Sequence, residues 1–335
     1  MIPNPPLPQK NGTPAKKLCS ACGKESIALK KCNGCKCVWY CDKDCQNKHR
    51  KEHKIECRRI KKALARRGGK LDLGTEMDVG PLGKLPPQEE CPICMRVLPS
   101  NPIFQTYAFC CGKTVCGSCD FQHQTKCAEQ AVPKTCEFCR TALPRSDGEL
   151  LALACKRVEL KDPNALLNMA FVHGDGQLGL PADEAKCIDL LRESADLGFP
   201  PAQYQLGEYY MNGEMGLEQN EEEAFKYWEK AAGSGDVTSV HNFACFEGKN
   251  GNHVAAMRHF RLSASGGDRK SIGLLIDSFE LGILQHGRLA ETLQVMYSSL
   301  AEMRSEDRDE FVKHLKKIGK YREEYDESNR RIIPI

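Results

Sequence analysis

The sequence predicts a multidomain protein: two small zinc-stabilised modules followed by an all-α solenoid of helix pairs. Three observations carry this expectation. Of the 20 cysteines, 17 fall within residues 19–139, most of them in pairs spaced like metal ligands. From residue 164 a pattern of small residues and glycines recurs at an offset of 37, the mark of a stacked repeat. The chain of 335 residues has room for two or three folded units.

Composition narrows the class. A disulfide framework is the competing reading of so many cysteines. The opening Met1-Ile2-Pro3-Asn4-Pro5-Pro6 lacks the apolar core of a secretory signal, and the cysteine spacing suits metal better. No run of 18 apolar residues occurs, so no membrane span or membrane partner is expected. A reducing location follows, cytoplasmic or nuclear. The net charge is only +3, but residues 43–70 hold 12 Lys or Arg against 3 acidic residues. Such a block reads first as a solvated helix. A nucleic-acid partner is the weaker alternative, with salt-dependent binding as its signature.

Residues 1–16 are proline-rich and polar and read as a disordered tail. Residues 17–60 form the first module: Cys19, Cys22, Cys32, Cys35, Cys41, Cys45, His53 and Cys57 make four ligand pairs. About 40 residues cannot bury enough apolar surface to fold alone. Metal must supply the deficit, about 10–16 kcal/mol per structural zinc. Interleaving gives one ion to Cys19, Cys22, Cys41 and Cys45, and another to Cys32, Cys35, His53 and Cys57. With four ligands per ion no position is open, so the zinc is structural. Cys37 is left over and could compete with Cys35. His49, one helical turn before His53, reads as a surface histidine.

The segment Tyr40-Cys41, Cys45-Gln46 and His53-Lys54 to Cys57 resembles the MYND zinc finger. The resemblance implies binding of proline-rich peptides. Pro5-Pro6-Leu7-Pro8 is a candidate ligand within the chain. Where the family carries an aromatic residue three positions before the histidine ligand, this sequence has Arg50.

Residues 61–90 read as a basic helix ending at Gly68-Gly69, then a linker rich in Gly, Pro and single charges. The second module, residues 91–143, carries Cys91, Cys94, Cys110, Cys111, Cys116, Cys119, Cys136 and Cys139. These are eight candidates for two more ions, about four in all. Its ends, Cys91-Pro92-Ile93-Cys94 and Cys136-Glu137-Phe138-Cys139-Arg140, resemble a RING finger in an all-cysteine variant. By the resemblance, Cys91, Cys94, Cys116 and Cys119 hold one ion, and Cys136 and Cys139 share the other with Cys110 and Cys111. Lys113 stands where many such fingers have a histidine, and adjacent cysteines tend to point apart, so His123 or Cys127 remains an alternative ligand. RING fingers mostly act as ubiquitin-protein ligases, positioning a charged conjugating enzyme rather than supplying a nucleophile. The resemblance makes Ile93 the apolar docking residue and Arg140 the cation that orients ubiquitin. Glu137 replaces the usual proline and places a charge near the docking surface.

Residues 144–162 read as a connector helix and 163–287 as helical repeats. Asn164-Ala165, Ala170, Gly176 and Gly179 align with Pro201-Ala202, Gly207, Gly213 and Gly216. Leu191, Ser194, Ala195 and Gly198 align with Trp228, Ala231, Ala232 and Gly235. Phe260, Ser263, Ala264 and Gly267 mark a shorter third copy, and a degraded fourth begins near Arg269. Small residues on one helix let it approach the bulky Phe225 and Trp228 of the next, and one pair cannot bury its apolar stripe without a neighbour. Trp228 is therefore core. These units resemble Sel1-like repeats, relatives of the tetratricopeptide family, which implies scaffolding of a client protein. Leu293, Met296, Leu300, Phe311, Leu315 and Ile318 recur at helical spacing, so residues 288–335 read as helices that cap the last repeat, then a tail.

The sequence offers no phosphate-cradling glycine motif, no nucleophile elbow and no acid–base pair on a common scaffold. The expectation is a zinc protein of protein interaction: a RING-type ubiquitin ligase whose repeats choose the substrate, or a non-enzymatic adaptor.

Overall fold

The computed structural model describes residues 17–25, 28–72, 74–99, 104–303 and 305–319. The proline-rich segment and the tail from Tyr325 lie outside these. The described chain forms an N-terminal zinc-finger region followed by a helical repeat solenoid. It divides into two compact units: Met1–Leu85 with Val240–Arg304 and Leu315–Ile335, and Pro86–Ser239 with Ser305–His314.

The first unit opens with a two-stranded antiparallel pair, β1 (Lys30–Lys31) and β2 (Trp39–Tyr40), followed by α1 (Lys43–Arg66). Asp42 caps α1 by accepting from the Cys45 amide at 2.8 Å. The expected surface-exposed basic helix is instead the second half of this 24-residue helix. Its buried residues, His49, His53, Glu56, Ile60, Ala63 and Leu64, fall on one stripe at spacings of three and four. That stripe packs with Ile272, Leu275, Ile276 and Phe279 of α10 (Arg269–Glu280) and with Leu289, Leu293, Met296 and Tyr297 of α11 (His286–Met303). The charged flank docks too: Arg59 pairs with Asp277 at 2.6 Å and Arg66 with Glu280. These pairs and the buried stripe remove the reading of a wholly solvated basic helix, although most of its cations, Lys61 and Lys62 among them, remain exposed. His49, expected on the surface, is buried because α11 lies over it.

The linker expectation also needs correcting. Asp72 and residues 74–82 form a strap tied down at several points. The Met77 amide donates to Ile283 O at 2.9 Å, and the His286 amide to Asp72 Oδ1 at 3.1 Å. Glu76 pairs with Arg67 at 2.6 Å, both side chains almost wholly enclosed. Gly80 O accepts from Arg261 Nη1 at 2.8 Å. Arg261, on α9 (His253–Ser265), is fully buried. Its guanidinium is also met by Glu291 at 2.6 Å and Thr292 Oγ1 at 3.2 Å, the satisfaction a buried cation requires.

The second unit carries a hairpin of β3 (Gln105–Ala108) and β4 (Lys113–Cys116), then α2 (Gly117–Glu129). The connector is α3 (Asp147–Glu159). Two helix pairs follow: α4 (Pro163–Asp175) with α5 (Glu184–Asp196), and α6 (Pro200–Asn212) with α7 (Glu221–Gly233). Proline begins each first helix and a left-handed glycine, Gly176 or Gly213, ends it. Trp228 lies in the core, its Nε1 donating to Tyr204 O at 3.3 Å. The division between units falls within α8 (Val237–Lys249).

The closing helices behave differently from expectation. α11 buries Leu293 and Met296 as a capping helix should. The first part of α12 (Glu306–Lys317) instead belongs with the second cysteine module. Its Phe311 ring rests on Gly117, where a Cβ would come within 2.5 Å of it, and on Phe121 at 5.6 Å. Ile318 is exposed.

Candidate metal centres

Four groups of side chains converge. Cys19, Cys22, Cys41 and Cys45 form the first, and Cys32, Cys35, His53 and Cys57 the second. Cys91, Cys94, Cys116 and Cys119 form the third, and Cys110, Cys111, Cys136 and Cys139 the fourth. Within each group the sulfur and nitrogen atoms all lie within 4.8 Å of one another.

The donor chemistry fits zinc. A Zn–S bond of about 2.3 Å makes the edge of a tetrahedron roughly 3.8 Å. Observed sulfur separations are 3.7 Å for Cys22–Cys41, 3.6 Å for Cys32–Cys57, 3.7 Å for Cys94–Cys116 and 3.9 Å for Cys111–Cys136. A disulfide would need about 2.05 Å, and all 20 cysteines are unbridged. In the second group His53 Nε2 lies 3.1 Å from Cys35 Sγ, so Nε2 faces the thiols.

Local structure aims these atoms. Each knuckle turns back on itself: the Gly23 amide reaches Cys19 O, Lys36 reaches Cys32 O, Met95 reaches Cys91 O and Arg140 reaches Cys136 O, at 2.8–3.0 Å. Lys36, Met95 and Arg140 sit at positive φ to close these turns. A Cβ on Gly34 would stand 2.8 Å from Cys57 Sγ, so only glycine fits there. Cys110 and Cys111 both point into the fourth group because they lie in the tight β3–β4 turn, closed by the Gly112 amide on Ala108 O at 2.8 Å. His123 and Cys127 stand apart from that group. His123 Nε2 meets Thr135 Oγ1 at 2.9 Å, and Cys127 Sγ lies 3.7 Å from the same nitrogen. Cys37 is buried outside the second group, its thiol donating to Cys35 O at 3.3 Å.

Four ligand thiols, Cys19, Cys32, Cys116 and Cys139, are held below the ordinary thiol value, toward the thiolate that zinc requires. Burial opposes ionisation of Cys116, but the Ser118 hydroxyl at 3.2 Å and the Cys119 amide outweigh it and bring the thiol to about 6. Thr141 does the same for Cys139, also to about 6.

Sequence reasoning missed the residues behind the ligands. Arg157 of α3 donates to Phe109 O and Cys110 O, both at 2.9 Å, fixing the turn that carries two cysteines. Gly112 must be glycine there: a Cβ would lie 2.7 Å from Asp162 Oδ2 and 2.9 Å from Arg157 Nη1. Local spacing contains no signal for Arg157, which acts across some 47 residues.

Around the second module, Ile93, Val132 and Arg140 line one groove of about 550 Å³, with His123, Thr135 and Glu137. Ile93 is 42% and Val132 47% exposed. Glu137 lines this groove, as expected of a residue near the docking surface, but it is not an exposed charge there. Its side chain is buried, and burial pushes its carboxyl up. Among the described residues, no helix is long and apolar enough to cross a membrane.

Residues 19–57 match the MYND finger family, and residues 163–199, 200–236 and 244–268 match the Sel1 repeat. No curated protein matches the chain. Among solved structures it is similar to a Sel1 repeat protein from Oxalobacter formigenes, at 26% identity over 38% of this chain and 97% of that one, TM-score 0.36. It is also similar to c5321, a protective antigen of uropathogenic Escherichia coli with an SLR fold, at 23% identity over 50% of this chain, TM-score 0.38. The match spans 36% of that antigen's length. An immunity protein, Pa5087 of Pseudomonas aeruginosa, aligns at 18% identity over 55% of this chain and 84% of its own, TM-score 0.27. A finger similar to MYND, repeats similar to Sel1 and four cysteine-rich groups that fit zinc together make this a zinc-binding protein of protein–protein interaction.

Proposed function

We propose that the second cysteine module works as a RING-type docking platform, making the protein a ubiquitin-protein ligase whose repeats hold the client. In this reading Cys91, Cys94, Cys116 and Cys119 ligate one zinc ion, and Cys110, Cys111, Cys136 and Cys139 another. The first module holds two more. The observation that carries the reading is the shared groove: Ile93, between the first two ligands, and Arg140, after the last, line the same surface. An exposed isoleucine beside an exposed valine is suited to a partner's apolar side chain. A positioned cation beside it is suited to orienting a carbonyl or carboxylate of the transferred group. The protein would work in the cytoplasm or nucleus, where thiols stay reduced.

The test is autoubiquitination with a panel of conjugating enzymes. Wild-type chain is expected to form conjugates with at least one of them, and Ile93→Ala to reduce the rate ten-fold or more with zinc content unchanged. Inactivity with every enzyme, or full activity of Ile93→Ala, would exclude the docking assignment.

One observation favours the adaptor alternative. Arg140 Nη1 is held by His123 Nδ1 at 2.9 Å, so the cation is partly engaged. As an adaptor, the protein would bind a client on its repeats and a proline-rich peptide at the finger, where Arg50 is exposed in place of an aromatic residue.

A further inference from the structure

The second metal group is enclosed by residues from the far end of the chain. His53 turns Nε2 toward the thiols, leaving Nδ1 to carry the ring proton in a dry setting. A ligating imidazole in that position needs an outer acceptor to fix its tautomer and plane. The hydroxyl of Tyr297, on α11, lies 3.4 Å from Nδ1 across 244 residues of sequence. The Tyr297 ring stands edge-on to His53 at 5.6 Å and to His49 at 4.2 Å, and the two imidazoles stack at 6°. His49 is held in turn by Tyr40 Oη at 2.9 Å from its Nδ1. The first residue of α11 completes the enclosure: His286 Nε2 donates to Cys35 O at 2.8 Å. Both Tyr297 and His286 are buried.

We propose that Tyr297 and His286 are positioning residues for the zinc held by Cys32, Cys35, His53 and Cys57, so that α11 forms the outer shell of the finger's metal site. Tyr297 holds the His53 plane, and His286 holds the knuckle carbonyl beside Cys35. Metal in this group and helix α11 therefore stabilise each other. The same device appears in the other unit, where Arg157 grips the carbonyl of Cys110. The inference rests on the reading that the second group binds zinc.

The experiment uses the full chain, zinc-loaded, titrated with a chromophoric chelator and separately substituted with cobalt(II). The second group is the one with a nitrogen ligand among the described groups, so its cobalt spectrum differs from the three all-sulfur sites. Tyr297→Phe keeps the ring and removes the hydroxyl. It is expected to weaken one of four ions by about 10–100-fold, the range for loss of an outer-shell partner, and to shift the nitrogen-containing cobalt band. The other three ions should hold as in wild type. His286→Gln is the second variant, with the same ion weakened, should Tyr297→Phe fail to fold. Four ions of unchanged affinity with an unchanged cobalt spectrum in these variants would overturn the outer-shell assignment alone. A folded wild-type chain lacking any nitrogen-containing cobalt band would overturn it together with the zinc reading of this group.

Discussion

At the scale of a single residue, Gly207 sets how closely two repeat helices meet. A Cβ there would fall 2.3 Å from Trp228 Nε1 and 2.5 Å from Cδ1, well inside contact distance. The indole cannot retreat without losing its bond to Tyr204 O and opening space around a buried ring. Gly207→Ala should therefore destabilise the protein by about 1–3 kcal/mol, the usual cost of overpacking a core. The better helix propensity of alanine returns about 1 kcal/mol at most. Chemical denaturation of the second unit, followed by Trp228 fluorescence, checks this. A midpoint equal to or above wild type would show that the helices can separate freely.

At the scale of the element, the strap of Asp72 and residues 74–82 converts α1 from an appendage into part of a core. Its decisive contact is Arg67, which gives Nη1 to Phe279 O and Nη2 to Glu76, both at 2.6 Å, and lies 4.2 Å over the Phe279 ring. Removing one partner leaves the other's charge enclosed, which costs about 3–5 kcal/mol. Arg67→Met should lose that much in urea unfolding of the zinc-loaded chain. The double change with Glu76→Gln should recover part of the loss. A single variant as stable as wild type would mean the pair contributes nothing net.

This element also marks where sequence reasoning stops. The knuckles were legible because their two- and three-residue spacings are set by local turn geometry. The first two repeats were legible because Trp228 and Gly207 recur in step with Leu191 and Ala170. The strap was not, since Met77 and Val79 are isolated apolar residues with no period. Its anchors, Ile283, His286 and Arg261, lie some 180–214 residues away. The burial of His49 and the company Phe311 keeps were hidden for the same reason: helical spacing shows which face is apolar, but not what covers it.

At the scale of the molecule, neither cysteine module has a core of ordinary size. The second offers chiefly Leu98 and Val115 beside its buried cysteines, far too little apolar surface to offset the entropy of ordering about 50 residues. The first borrows α10 and α11 to enlarge its core, yet its knuckles still converge on thiols that would repel one another once ionised. Zinc resolves both problems by pairing each set of thiolates with a divalent charge and joining segments distant in sequence. Native mass spectrometry of the full chain, before and after chelation, measures this directly. The account predicts a compact chain carrying four zinc ions, and a shift to extended, highly charged ions once the metal is stripped. A chain that stays compact and folded with no metal bound would contradict it.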